Sequence, residues 1–527
     1  MYHKDAKTKI IATIGPASES EIKLKALINH GVDIFRLNFK HNTVDWHSNI
    51  IDTVRNLKQT ENYEVGQFPA LMLDLQGPSI RLILSSNSTY IVPGKPLTIV
   101  KNPVTPTQIS FTYPNLDKYL KNKDVIYADD GQFKFIVNKT SEGKTLLMPQ
   151  DSGELVTRKS VNLPGIYNRL HLPPLTKRDI EGLKLALLQQ VELIAVSFVR
   201  SIQDILYVHQ KIAELKKSLN LEASNFTPQI ISKIETVEAL NNLEEIILAS
   251  DGIMVARGDL AIEAGFYTIP YYQAKIIETA NFYNRPVIIA TQMLKSMTTN
   301  FLPTRAEITD VGHAVENRVD AIMFSEETAI GKHPTRVIEV AQKILGFTEK
   351  KFDDIEPIKI NLQDYTQSPL ITSKSKNKKQ VSIDPATNLP RSFKNLPDFE
   401  PAEYNLSTAA YHLYIKHAQT AKAFIVFSKT GKKATYLSKY KPNIPIYTFV
   451  PNKQTYGITK LAYNVFPILY PQIDYTNITE SNINFAIDFL KNNTKILKPN
   501  THVIAVYNKQ LNKNTFSRAL EIIPITL

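Results

Sequence analysis

Short apolar runs alternate along the chain with stretches in which apolar residues recur at helical spacing. The first run, residues 10–14, ends at Gly15-Pro16, and Ser20 is then the predicted N-cap of a helix. The inner face of that helix is predicted at Ile22, Leu24, Leu27 and Ile28. Seven further strands are predicted near residues 32–37, 70–73, 193–198, 229–234, 252–255, 287–290 and 321–324. Eight such strand–helix units predict an α/β fold closed as a (β/α)8 TIM barrel.

The barrel pattern is interrupted once. Residues 82–160 carry short β-branched runs and turn signals such as Val92-Pro93-Gly94, which predict a small inserted β-barrel domain placed as a lid on the active-site face. The main barrel then takes residues 1–81 and 161–351. It resumes with Thr176 and Asp179, which have the spacing of a helix capping box.

A second domain follows the barrel. Between residues 352 and 403 the periodicity fades around a lysine-rich run at 373–379, so this segment is predicted to be a linker or surface excursion. Residues 404–527 return to an α/β pattern and form the predicted C-terminal domain. Its strands are predicted near 423–427, 444–449 and 503–507.

Polar side chains follow the predicted barrel strands where each strand ends. They are Arg36, Asn38, Asp74, Lys233, Glu235, Asp259, Thr291 and Ser325. Charges at these positions are costly to bury and are typical of a site. The carboxylates Glu235 and Asp259 beside Lys233 can hold a divalent cation and still present a positive charge to an anion. A structural ion pair explains the spacing equally well, so the spacing leaves both interpretations open.

Composition narrows the class of protein. The chain has 527 residues, 43% of them apolar, and no cysteine, which excludes disulfides and thiolate chemistry. No window approaches 18 consecutive apolar residues and the N-terminus lacks an apolar signal core, so we expect a cytoplasmic enzyme without a membrane partner. The net charge of +12 is spread along the chain, which favours general attraction for phosphorylated metabolites over a nucleic-acid partner.

The stretch 230–263 closely resembles the signature of the pyruvate kinase family. It reads IISKIETVEALNNLEEIILASDGIMVARGDLAIE, a lysine–glutamate segment followed by an alanine-arginine-glycine-aspartate-leucine segment. The resemblance covers almost the whole chain. Other segments that resemble the family lie at residues 8–16, 35–41, 74–78, 290–294 and 303–307.

The resemblance implies phosphoryl transfer from phosphoenolpyruvate to ADP, giving pyruvate and ATP as the last step of glycolysis. It implies Mg²⁺ and usually K⁺ as cofactors, and a homotetramer. The implied catalytic residues are Lys233, Thr291 and Arg36, and Gly258 and Asp259 join them in binding the substrate. The implied nucleotide-binding residues are Arg81, Lys159, Asn38 and His41. Glu235 and Asp259 match the Mg²⁺ ligands, and Asn38, Asp74 and Leu75 match part of the K⁺ site.

Several positions depart from the family pattern. Lys40 stands where the family has a serine that contributes an oxygen to the K⁺ site, so we expect K⁺ to be dispensable. Leu75 and Gln76 replace threonine and lysine, and Glu326 adds bulk and charge where the nucleotide approaches.

These departures keep two alternatives in view. One is a catalytically weak paralogue kept for regulation. The other is a Mg²⁺-dependent phosphoenolpyruvate lyase or mutase, against which the inserted β domain argues because it can close over a nucleotide.

Overall fold

The computed structural model describes residues 6–60, 63–353, 383–384, 389–390, 401–512 and 515–525. Eight parallel strands close into the main barrel, with Lys9 of the first strand beside Ala321 of the last. The strands are Lys9–Thr13, Ile34–Asn38, Ala70–Asp74, Leu193–Val196, Gln229–Ile234, Gly252–Ala256, Val287–Ala290 and Ala321–Phe324. This confirms the predicted (β/α)8 fold.

Helices surround the main barrel. They are Glu21–Asn29, Val44–Thr60, Lys177–Gln189, Ile202–Ser218, Val237–Asn241, Leu243–Ala249, Arg257–Ala264, Ile269–Phe282, Arg305–Glu316, Glu326–Ala329 and Pro334–Asp353. Ser20 caps the first helix by accepting from Lys23 N, and Thr176 and Asp179 form a complete capping box, as predicted. The prediction for Ile22 was wrong because it lies about 200° around the helix from buried Leu24, and its side chain is 81% exposed. No helix in the described ranges is long and apolar enough to cross a bilayer.

The inserted barrel is a separate closed sheet of seven strands with its own apolar core. Its strands are Ile80–Leu84, Leu97–Ile99, Gln108–Phe111, Val125–Ala128, Phe133–Lys139, Thr145–Pro149 and Ser160–Asn162. Ser88–Ile91 and Gly153–Val156 pair as a further two-stranded sheet. The first strand begins, and the last ends, two residues outside the predicted segment 82–160.

The C-terminal domain is a five-stranded sheet with helices against it. The strand order is Val465–Leu469, Ile446–Val450, Ala421–Phe427, Thr501–Asn512 and Thr515–Ile525, and only the last pair is antiparallel. The first and last of these strands were not predicted. The helices are Pro401–Lys416, Lys432–Ser438, Lys453–Leu461 and Glu480–Asn493.

The segment predicted as a linker is helical at both ends, to Asp353 and from Pro401. Ile383–Asp384 pairs with Leu389–Pro390, and the run 373–379 lies outside the described residues.

The helix Lys453–Leu461 closes the main barrel at the N-terminal ends of its strands. Ile458 and Leu461 share an apolar core with side chains of the barrel interior. Two buried ammonium groups approach Asp33 Oδ1 there, Lys460 Nζ at 3.1 Å and Lys9 Nζ at 3.7 Å. Because buried charges are stable only when they are paired, this cluster fixes the C-terminal domain to the barrel. The opposite end of the barrel remains open for a site.

Candidate active site

The C-terminal ends of the main-barrel strands and the near face of the inserted barrel border one cleft. Most residues predicted for the site line it, namely Arg36, Asn38, Lys40, Asp74, Leu75, Gln76, Arg81, Lys233, Glu235, Asp259 and Thr291. His41, Lys159 and Gly258 lie next to the cleft but are not among its lining residues. Positions up to 255 residues apart in the chain thus meet in one place, since parallel barrel strands end at the same rim.

A buried network of charges forms the floor of the cleft. Arg36 Nε donates to Asp74 Oδ2 at 2.7 Å, and Lys233 Nζ lies 3.3 Å from Asp74 Oδ1 and 3.0 Å from Glu235 Oε1. Burial would raise the pKa of Asp74, but the charges of Arg36 and Lys233 hold it below its ordinary value. Asp74 therefore keeps its negative charge and holds two cations side by side, facing the open cleft.

Ser197 and Phe198, at the end of a barrel strand, orient Lys233 and Glu235. The sequence analysis did not identify Ser197 or Phe198 as site residues. Lys233 Nζ donates to Ser197 Oγ at 2.7 Å, and that hydroxyl donates to the Leu75 carbonyl at 2.7 Å. Phe198 adopts a left-handed backbone, with φ of 55°, and its N–H donates to Glu235 Oε2 at 2.7 Å. The available signal was their position at the end of a predicted barrel strand. Their side chains, a hydroxyl and an apolar ring, did not mark them.

Two carboxylates of the cleft fit a divalent cation. Glu235 is buried, and burial together with nearby Asp259 raises its pKa, although Lys233 opposes the shift. A bound cation would relieve this cost, and Mg²⁺ commonly takes one or two carboxylates and completes its shell with water and substrate oxygens. Within the described residues no group of three or more acidic or histidine side chains is placed to hold a metal, so water or substrate oxygens would complete the shell of a Mg²⁺ here.

Thr291 also lines the cleft, and its backbone conformation is strained. Its φ of 73° and that of Gln292, 55°, fall in the left-handed region, which is costly for a β-branched residue. The Thr291 hydroxyl accepts from Gly258 N at 3.0 Å, and the Thr291 carbonyl accepts from Arg257 at 2.7 Å. The N–H of Gly258, a residue predicted to bind the substrate, is thus already bonded to Thr291.

The residues predicted for the nucleotide surround the mouth of the cleft. Arg81 extends from the inserted barrel and donates to the Arg158 carbonyl, and Lys159 pairs with Asp129 at 2.7 Å. On the main-barrel side, Arg178 holds the loop that carries Lys40 and His41. Its guanidinium donates to the Phe39 carbonyl at 2.6 Å and to the His41 carbonyl at 3.2 Å. This clamp was not predicted, because contacts to carbonyls leave no mark on the sequence.

The oxygens of the predicted K⁺ site already accept hydrogen bonds. The Leu75 carbonyl accepts from Ser197, Asn38 Oδ1 accepts from Lys40 N at 3.2 Å, and Asp74 is taken by two cations. The Lys40 ammonium has no hydrogen bond or ion pair with any described residue. Burial and then Arg81 lower its pKa, while Asp259 and Asp130 raise it. Lys40 therefore lines the cleft without a hydrogen bond to the oxygens predicted for K⁺.

The two other departures lie outside the charge network. The Gln76 and Gly77 N–H groups donate to the buried carboxylate of Asp179, so the helix cap also fixes this turn. Glu326 is half exposed and lies 3.9 Å from Lys295. It is not among the residues that line the cleft. Neither residue touches Lys233, Arg36 or the two carboxylates.

The fold and the cleft together define a class of enzyme. A (β/α)8 barrel presents two cations and two carboxylates at its strand ends, beneath a second domain, and so suits a small anionic substrate bound with a metal ion. Comparison with family models gives the family. The model for the pyruvate kinase barrel domain matches residues 5–338, and that for the pyruvate kinase alpha/beta domain matches residues 407–523. The chain belongs to the pyruvate kinase family.

Curated pyruvate kinases are similar in sequence to this chain over most of their length. The pyruvate kinase of Lachancea kluyveri is 32% identical over 492 residues, covering 91% of this chain and 89% of the relative. The pyruvate kinase of Chlamydia trachomatis serovar D is 33% identical over 467 residues, covering 88% of this chain and 87% of the relative. That of Thermotoga maritima is 31% identical over 465 residues, covering 88% of each. The likeness therefore spans all three domains and is not confined to one motif.

Proposed function

We propose that this chain catalyses Mg²⁺-dependent transfer of the phosphoryl group of phosphoenolpyruvate to ADP, giving pyruvate and ATP in the last step of glycolysis. The observation that carries the proposal is the pairing of Arg36 and Lys233 on buried Asp74, in a cleft that Glu235 and Asp259 also line. In this reaction the bond between phosphorus and the enol oxygen breaks, and a bond to an ADP oxygen forms. The enolate is then protonated at carbon to give pyruvate.

The chain supplies fixed charge where negative charge develops. Arg36 binds the phosphoryl group, and the Lys233 ammonium faces both the phosphoryl group in transfer and the enolate oxygen. Glu235 and Asp259 would hold the Mg²⁺, which supplies further neutralisation of the phosphoryl charge. Thr291 lies at the far side of the cleft, where its hydroxyl can help to deliver the proton to the enolate. These groups need little rearrangement, since Ser197 and Asp74 already orient Lys233.

The nucleotide is assigned to the mouth of the cleft, where Arg81 and Lys159 of the inserted-barrel side face Asn38 and His41 of the main barrel. This placement favours a kinase over a lyase or mutase, because polar side chains of two domains border the cleft and the inserted domain can close over a nucleotide. The weak-paralogue alternative has less support, since Lys40, Gln76 and Glu326 leave the charge network intact. A cytoplasmic location is part of the proposal and rests on the family resemblance.

Lys233→Met should lower kcat by about 10²-fold or more while changing the KM for phosphoenolpyruvate much less. The ammonium is aimed at charge that accumulates in the transition state, so its loss slows the chemical step more than it weakens binding. The measurement is pyruvate formation from phosphoenolpyruvate, with and without ADP.

Lys184→Met, which removes an exposed lysine of the helix Lys177–Gln189, serves as the control and should retain wild-type kcat. A near-normal kcat in Lys233→Met would remove the assigned role. Pyruvate formation by the wild-type chain without ADP would support the lyase alternative, and none under any ionic condition would support the paralogue.

Glu235→Gln and Asp259→Asn should each raise the Mg²⁺ concentration needed for half-maximal rate by at least about 10-fold. Each change removes the charge of one proposed ligand and leaves its size almost unaltered. Mg²⁺ titrations of the initial rate, with Glu245→Gln on an exposed helix position as control, check this. An unchanged Mg²⁺ requirement in both variants would contradict the metal assignment.

The rate of this enzyme should depend little on K⁺, because the Lys40 ammonium supplies a monovalent charge in the same cleft. Lys40→Ser should be slow without K⁺ and should recover when K⁺ is added, since a hydroxyl restores an oxygen ligand. The assay is rate against KCl at constant ionic strength, balanced with a large organic cation. A steep rise of the wild-type rate with K⁺ would show that Lys40 does not replace the bound cation.

The homotetramer implied by the family has support on the main-barrel surface. Phe347 is 68% exposed, and it lines a groove together with Ile308 and Ile344. Apolar side chains grouped in this way are typical of interfaces. Phe347→Asp should lower the mass measured by light scattering from four copies to fewer. Leu206→Asp, on another exposed helix, should leave it unchanged, and a wild-type monomer would refute the proposal.

A further inference from the structure

The chain crosses between the two barrels twice, and each crossing is held by one buried acidic side chain. On the way out, Asp179 accepts from Gln76 N at 2.7 Å and from Gly77 N at 3.2 Å. On the way back, Glu263 Oε1 accepts from Leu163 N at 3.2 Å. Both side chains belong to main-barrel helices, so each fixes the inserted barrel to a rigid element.

The return crossing also reaches a proposed metal ligand. Glu263 and Asp259 lie four residues apart in the helix Arg257–Ala264, a spacing that places both side chains on one face. Asn162, the residue before Leu163, has its amide Nδ2 3.5 Å from Asp259 Oδ1. One face of this helix therefore contacts the return crossing twice, at Leu163 through Glu263 and at Asn162 through Asp259.

In the described part of the chain, two buried oxygen atoms at this junction have no hydrogen-bond partner. Glu263 Oε2 and Asn162 Oδ1 are buried without a hydrogen-bond partner there. Burial raises the pKa of the Glu263 carboxyl to about 8, although the Asn162 amide and the Leu163 N–H oppose the shift. Buried polar atoms in native proteins are nearly always paired, so unmet capacity at a crossing between domains points to a junction that rearranges.

We propose that Glu263 is a positioning residue that couples the hinge of the inserted barrel to the metal ligand Asp259. When Glu263 holds the Leu163 N–H, Asn162 is kept beside Asp259 and the Asp259 carboxylate is kept in the orientation that binds the cation. Movement of the inserted barrel would then change the affinity for the metal, and metal binding would stabilise one position of that barrel. The inference rests on the proposed function, since it takes Asp259 as a ligand of the divalent cation.

Two substitutions of similar size separate this role from packing. Glu263→Gln keeps an oxygen acceptor for Leu163 N–H, whereas Glu263→Met fills the same space without one. Glu263→Met should weaken Mn²⁺ binding, measured by calorimetry without substrates, by about 10-fold, the effect typical of groups that orient a ligand. Hydrogen exchange should become faster at the Leu163 amide. Glu263→Gln should stay close to wild type in both measurements.

Glu349→Met is the matched control. Glu349 is also a buried carboxylate that accepts from backbone N–H groups, those of Lys7 and Thr8, but it lies at the closed end of the barrel. Its loss should lower stability without changing Mn²⁺ affinity.

Equal Mn²⁺ affinity in Glu263→Met and the wild-type chain, or an equal loss in Glu349→Met, would overturn the proposal. If the wild-type chain bound no Mn²⁺, the metal assignment would fail instead, and the Leu163 exchange rates would still test the hinge contact.

Discussion

The arrangement of the candidate active site depends on one buried carboxylate, that of Asp74. Arg36 and Lys233 belong to different strands and would repel each other if they were brought together alone. Asp74 accepts from both, at 2.7 Å and 3.3 Å, and so holds two cations at one rim of the barrel. In an interior of low dielectric this arrangement is strong, and it is set before a substrate enters. An anion that arrives meets charges already in position, which is the condition for electrostatic catalysis.

Buried acids perform a second, structural task throughout the molecule, because their oxygens accept backbone N–H groups where two elements meet. Asp179 holds the turn at Gln76 and Gly77, Glu263 holds the return crossing, and Glu349 holds the entry to the first strand. Asp33 does the same at Ile10 and also binds the lysines beneath the barrel. Such contacts fix loops and domains to the barrel more precisely than apolar packing does, since hydrogen bonds are directional.

The structure shows which departures from the family pattern affect the charges of the cleft. Gln76 uses its backbone to meet Asp179, and Glu326 lies at the surface near Lys295. Only Lys40 brings a new charge into the cleft, beside Arg81 and among the carboxylates Asp130 and Asp259. The charges proposed to perform the transfer are therefore retained, and Lys40 is the departure that we propose to supply the monovalent positive charge.

The sequence by itself determined the barrel, because strand-length apolar runs followed by helical spacing state where each unit begins and ends. It also placed most residues of the candidate site in one cleft, since polar residues at strand ends are forced to meet at one rim. It did not reveal Ser197, Arg178 or Glu263, whose roles are contacts to groups distant in the chain. The strands Val465–Leu469 and Thr515–Ile525 were missed for the same reason, as pairing in the sheet decides their structure. Tertiary structure alone decided that Ile22 faces solvent and that the Lys40 side chain lines the cleft, because both depend on which neighbours fold against the residue.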